Sequence, residues 1–182
     1  GAGSVGVSNI DVVQGSAGTD TLTYLGGGTV SASNVEVVIG TTGTVDALRV
    51  LANSLGIQSR VRLLGWQDPP DAFYGLADVF VCPSRHEPLG NVILEAWNHS
   101  LPVVSTRSDG ARELIEDGIT GLLCDHMDAK GMAAAIQQIL EATEKQRAAM
   151  GLAGNDCLNT RYGQTSIVEA YLSLYSSMLA GK

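Results

Sequence analysis

The stretch PSRHEPLGNVILEAW, Pro83 to Trp97, places two glutamates, Glu87 and Glu95, eight positions apart around a turn and a helix start. A carboxylate can accept paired hydrogen bonds from vicinal hydroxyls such as those of a ribose or a hexose. The spacing alone arises readily by chance, and its setting gives it meaning. An apolar run over 79–82 ends in Pro83-Ser84, Glu87-Pro88-Leu89-Gly90 reads as a turn, and a helix is expected over 90–98. The main-chain N–H groups of Leu89, Gly90 and Asn91 then stand at a helix N-terminus, where phosphate is attracted. At about 1.5 Å per residue the two carboxylates are ~12 Å apart, the reach from a ribose across a diphosphate to a sugar. The plainer alternatives are a solvated helix carboxylate for Glu95 and a first-turn acid favoured by the helix dipole for Glu87. Apolar neighbours Val92, Leu94 and Trp97 argue that the helix carrying Glu95 is covered.

The elements that must position these residues alternate along the chain. A helix is expected from about Thr44 or Asp46, with Leu48, Leu51 and Leu55 on one face and Gly56 as its left-handed stop. Strands are expected over 61–64, 79–82, 102–105 and 121–124, and short helices over 68–76 and 111–116. Asp128 can cap a helix that turns Met132, Ala133, Ile136, Ile139 and Leu140 inward, and Thr143 with Gln146 has capping-box spacing. Val168, Tyr171, Leu172, Tyr175, Met178 and Leu179 form one apolar stripe on a terminal helix, expected to dock on the sheet. Short apolar runs alternating with helical periods predict an α/β sheet with crossover helices.

Residues 1–44 differ in composition, holding ten of the 22 glycines and no Lys or Arg. They contain a repeat at a spacing of 25, SNIDVVQGSAGT from Ser8 recurring as SNVEVVIGTTGT from Ser33, each copy read as a strand ending in a turn. GAGSVG at Gly1 to Gly6 has dinucleotide-fingerprint spacing but lacks the preceding strand and following helix that the motif needs. Gly15 to Thr23, GSAGTDTLT, resembles one copy of the calcium-binding repeat of secreted β-roll proteins. Such sites need several stacked copies, and Val45 stands where the second copy would need an Asp.

Eleven basic against nineteen acidic residues give a net charge of −8 with no basic cluster, which disfavours nucleic acid and anionic membrane partners. No uncharged run approaches the ~18 residues of a membrane span, so no integral membrane segment is expected. Cys82, Cys124 and Cys157 suit neither a disulfide framework nor a paired zinc motif and read as buried thiols. His86, His99 and His126 have no metal-ligand spacing; His86, beside Glu87, is expected to face the cleft and the other two the surface. With no leader pattern, a cytoplasmic location is expected.

Residues 45–176 resemble the carboxyl-terminal half of the family-4 (group 1) retaining glycosyltransferases of the GT-B fold. The carrying residues, in order, are Pro83-Ser84, Glu87-Pro88-Leu89-Gly90, Glu95-Ala96, Leu101 to Thr106, Gly110, Glu113-Leu114-Ile115, Asp117-Gly118 and Gly121-Leu122-Leu123. The resemblance implies a half-domain that binds a nucleotide-sugar donor, with Glu95 on the ribose and Glu87, the catalytic candidate, near the donor sugar. It puts the amides of Leu89, Gly90 and Asn91 at the diphosphate and the base contact at Leu64 and Gly65. No metal and no cofactor are implied beyond the donor, which is a substrate.

Three departures from the family pattern stand out. The Arg and Lys that relatives carry in the opening strand–loop–helix are missing, leaving Arg85, His86 or Arg107 as substitutes. The acceptor-binding half is absent, so the isolated chain is expected to turn over little or nothing. Ser100 replaces the usual glycine before Leu101-Pro102, so the preceding helix is expected to end differently. The expectation is one Rossmann-like α/β domain over 1–182, with a mostly parallel sheet of about six strands, helices on both faces, and residues 1–44 supplying the first strands. Two other readings remain: a calcium-binding or adhesion-type repeat module carried on an α/β scaffold, and a fusion joined near residue 45.

Overall fold

The computed structural model describes residues 6–7, 10–13, 31–32, 35–38, 42–61 and 71–180. Leu64 and Gly65, the expected strand over 61–64 beyond its first residue, and the Gly15 to Thr23 nonapeptide lie outside the described residues.

Four short strands open the fold: β1 (Gly6–Val7), β2 (Ile10–Val13), β3 (Ser31–Ala32) and β4 (Val35–Val38). β1 pairs with β3 and β2 with β4, both in parallel, and Gly6 faces Ser31 as Ile10 faces Val35. The offset in both ladders is 25 residues, the period of the sequence repeat, so in β2 and β4 equivalent residues of the two copies stand beside each other. β2 runs alongside β5 (Phe80–Cys82).

Helix α1 (Thr42–Ser54) follows β4 and stops at Gly56, whose φ of 67° is the left-handed conformation expected there. A 3-10 turn, Gln58–Arg60, and the four-residue helix α2 (Asp71–Tyr74) lead into a three-stranded parallel sheet. Its strands are β5, β6 (Val103–Thr106) and β7 (Leu122–Cys124), with Phe80 facing Val103 and Val104 facing Leu122. All described ladders are parallel, as expected. They form three separately hydrogen-bonded sets rather than one sheet of about six strands.

Alternation along the central strands divides the core between two faces. Phe80, Cys82 and Val103 pack with Val92, Ile93, Ala96 and Trp97 of α3 (Asn91–Asn98). Val79, Val81, Val104, Leu122 and Cys124 pack with Met132 and Ile139 of α5 (Ala129–Glu141). Both faces are therefore covered by helices, which is why residues 79–82 read as an unbroken apolar run. Trp97 is fully buried and donates its indole N–H to the Thr120 carbonyl over 3.0 Å.

The caps follow the sequence. Asp128 accepts from the Gly131 N–H at 2.9 Å at the start of α5, and Thr143 and Gln146 form a reciprocal capping box on α6 (Glu144–Cys157). Ser100 differs from expectation. It takes φ 55° itself, while the N–H groups of Ser100 and Leu101 bond back to the carbonyls of Trp97 and Ala96 at 2.9 and 3.1 Å. α3 thus ends as it would with a glycine, held by these hydrogen bonds and by buried Leu101. The terminal stripe also differs: a π-helical turn, Leu158–Tyr162, leads to α7 (Gln164–Ala180), on which no residue is buried. Tyr171, Leu172, Tyr175, Met178 and Leu179 are all exposed, so the stripe is not docked on the sheet.

Candidate functional site

β5 is buried along its whole length and ends at Pro83-Ser84, where the chain must leave the sheet. Polar side chains hold this exit: Thr106 Oγ1 donates to the Ser84 carbonyl, and Ser105 Oγ donates to the Cys82 carbonyl at 3.2 Å. The turn that follows is fixed from the neighbouring element, α4 (Asp109–Leu114), because the Gly110 N–H donates to the Glu87 carbonyl at 2.8 Å. Gly90 then takes φ 74° as the N-cap residue of α3. Here glycine is required, since a Cβ on Gly90 would also meet Leu114 Cδ1 at 2.6 Å.

This conformation folds the Glu87 side chain back onto the turn. Its Oε1 accepts from the Gly90 N–H at 3.3 Å. Of the three amides expected to be open for phosphate, that of Gly90 is committed to Glu87 and the residue itself is buried, whereas Leu89 and Asn91 are exposed. The N–H groups of Ile93 and Leu94 both bond to the Gly90 carbonyl, which leaves those of Asn91 and Val92 without an intrahelical acceptor.

Glu95 lies one helical turn beyond Asn91 on the same exposed face of α3, while Val92, Ile93, Ala96 and Trp97 are buried. Its Oε2 accepts from the Tyr74 hydroxyl at 2.9 Å. Burial first, then the Glu95 charge and hydrogen bond, push the Tyr74 phenol far above its ordinary value, so it remains a donor. The Tyr74 ring is tilted against Phe80, with centroids 5.8 Å apart, and stacked on His99 at 5.1 Å; His99 Nε2 lies 3.3 Å from Asp71 Oδ1. His99, expected at the surface, is thus part of the Glu95 surroundings. Only the four-residue spacing of Glu95 and His99 on one helix face hinted at this grouping.

The candidate cations are placed unequally. Arg107 makes ion pairs with Asp117 at 2.9 Å and Asp125 at 3.3 Å, and His126 Nε2 lies 2.9 Å from its carbonyl oxygen. Its charge is therefore already compensated. Arg85 contacts the Met127 sulfur and has no acidic partner among the described residues; His86 is exposed. Among the described residues no group of three His, Cys, Asp or Glu side chains is arranged to hold a metal ion, and no helix is long and apolar enough to cross a membrane.

Comparison with known proteins agrees with this architecture. A family model described as "Glycosyl transferases group 1" matches residues 29–142. The chain is 46% identical over 132 residues to the lipopolysaccharide core biosynthesis glycosyltransferase LpsE of Rhizobium meliloti (strain 1021), covering 72% of this chain and 38% of that protein. To LpsD of the same organism, also a lipopolysaccharide core biosynthesis glycosyltransferase, it is 34% identical over 135 residues, covering 74% of this chain and 39% of that one. Among solved structures it resembles Anabaena Alr3699/HepE in complex with UDP, with a TM-score of 0.72 and 26% identity, covering 79% of this chain and 41% of that one.

A parallel sheet covered by helices on both faces, in this similarity, is the architecture of a GT-B glycosyltransferase. The chain belongs to the group 1 glycosyltransferases. It spans about two fifths of the length of the relatives it matches.

Proposed function

We propose that this chain is the donor-binding half of a retaining glycosyltransferase that moves a sugar from a nucleoside diphosphate to an acceptor hydroxyl. The carrying observation is that Glu87 and Glu95 bracket the N-terminus of α3 in one continuous turn-and-helix segment, with Asn91 and Val92 presenting N–H groups between them. In this reading Glu95 accepts hydrogen bonds from the ribose hydroxyls. The diphosphate sits at the α3 N-terminus against Asn91 and Val92, beside Leu89, and Gly90 supports the site indirectly by tying down Glu87. The Glu87 carboxylate lies by the donor sugar, and the segment containing Leu64 and Gly65 supplies the base contact. UDP in the Anabaena relative makes a uridine nucleotide the first donor to test.

Departure of the sugar leaves charge on the diphosphate, and a fixed helix N-terminus stabilises that charge without reorganising. No metal ion is required in this scheme. Arg85 and His86 are the candidates for further compensation, since Arg107 is held by two aspartates. The reaction also needs an acceptor-binding half, so the isolated chain binds donor weakly and does not turn over; the complete enzyme acts in the cytoplasm. Titration calorimetry with UDP, GDP and ADP sugars tests the reading. Heat with at least one at millimolar concentration is expected, and none with any overturns the donor assignment. Robust turnover by the isolated chain overturns the claim of inactivity.

A further inference from the structure

We propose that Tyr74 is a positioning residue for Glu95, fixing the carboxylate in the orientation that reads the ribose 2′-hydroxyl. The inference rests on the reading of Glu95 as the ribose ligand. A glutamate on an exposed helix face ordinarily samples many rotamers, and ordering it on binding costs affinity. Here one oxygen is already held: Tyr74 reaches Oε2 over 2.9 Å from α2, an element separate from the helix that carries Glu95.

The tyrosine is itself immobilised. It is 3% exposed, with Phe80 tilted against its ring and His99 stacked on it at an interplanar angle of 10°. Asp71, on the same short helix as Tyr74, reaches His99 Nε2 at 3.3 Å and ties the stacking partner in place. The hydroxyl is therefore aimed by packing rather than by the carboxylate it serves. A phenol donating its only proton to Oε2 leaves three of the carboxylate's roughly four lone-pair sites, two on Oε1 and one on Oε2, enough for both hydroxyl donors of a ribose 2′,3′-diol. Burial and the adjacent Glu95 charge keep the phenol protonated, so it remains a hydrogen-bond donor.

The test is calorimetric titration of the 182-residue chain, Tyr74→Phe and Glu95→Gln with whichever of UDP, GDP and ADP binds tightest and with its 2′-deoxy analogue. Melting temperatures are recorded alongside. The wild type is expected to prefer the ribonucleotide by about tenfold, and Glu95→Gln to bring the ratio near one. Tyr74→Phe should weaken the ribonucleotide by about three- to tenfold while leaving the 2′-deoxy analogue within about twofold. An unchanged ratio in Glu95→Gln, or heat from no nucleotide, removes the ribose assignment and this inference with it. A collapsed ratio in Glu95→Gln with an unchanged ratio in Tyr74→Phe overturns the positioning role alone, as does an equal loss for both nucleotides. Should Tyr74→Phe not fold, His99→Ala loosens the ring while keeping its hydroxyl. A partial fall in the ratio supports the inference, and an unchanged ratio contradicts it.

Discussion

The Gly110 N–H donates to the Glu87 carbonyl at 2.8 Å, and a Cβ on Gly110 would stand 2.7 Å from that same oxygen and 2.7 Å from the Gly90 nitrogen. The start of α4 is thereby locked into the turn that sets up α3. The Glu87 turn owes its shape to a residue twenty-three positions away, and the lock leaves no room for a methyl group. All three nearest atoms are backbone, so no side-chain rotation can relieve the clash.

Gly110→Ala is accordingly expected to cost about 1–3 kcal/mol, as overpacking does. At this chain length that lowers Tm by roughly 2–4 °C per kcal/mol. Thermal melts check the first effect. Donor titration checks the second, a loss of affinity beyond that of an equally destabilised variant away from the turn.

Asp78 precedes β5 and is half-buried; burial raises its carboxyl above the usual range, and Arg147 only partly offsets this. The folded protein holds that proton more tightly than the unfolded chain does. Stability therefore falls as pH rises through the interval between the ordinary and the raised value, and stays lower above it. Asp78→Asn should melt above wild type at pH 7, with the gap closing as pH falls toward about 4, near the ordinary carboxylate value. Melting curves across that range check it; a gap independent of pH contradicts it.

Thiol reactivity follows burial. Cys82 and Cys124 are buried, and desolvation, aided by Asp128 and Asp125, pushes the Cys124 thiol up to about 11. Cys82 is also raised, chiefly by burial. Iodoacetamide at neutral pH should label Cys157, which is partly exposed, ahead of the other two, and all three together only after denaturation. Peptide mapping of the native labelled protein decides this.

The apolar stripe on α7 is exposed, Leu172 at 61% and Leu179 at 73%. Replacing both with Glu removes no buried contact, so Tm should stay within about 2 °C, as for ordinary surface changes. A fall of many degrees would restore the docked helix that its periodicity suggested.

That helix illustrates what the sequence could and could not convey. Periodicity reports that a face is apolar but not what covers it, so α7 read as docked although none of its residues is buried. Local chemistry carried further: Asp128 and the Thr143–Gln146 box cap their helices, and Gly56 stops α1, because each effect is confined to a few successive residues. Each copy of the 25-residue repeat was legible as a strand, and the structure pairs those two strands at an offset of the repeat period. Around the site, the turn and the bounds of α3 were legible in Glu87 to Asn98. The partners of the two acids were not. Tyr74 meets Glu95 across twenty-one residues and Gly110 meets Glu87 across twenty-three, contacts that exist only once α2 and α4 pack beside α3.

In the proposed function the N-terminus of α3, between Glu87 and Glu95, grips a nucleoside diphosphate. A crystal structure of the chain soaked with UDP would show whether it does. Ribose hydroxyls are expected at hydrogen-bond distance, ~3 Å, from Glu95 and phosphate oxygens at the same distance from the Asn91 and Val92 N–H groups. A nucleotide ordered elsewhere on the protein, with that helix end vacant, would contradict it.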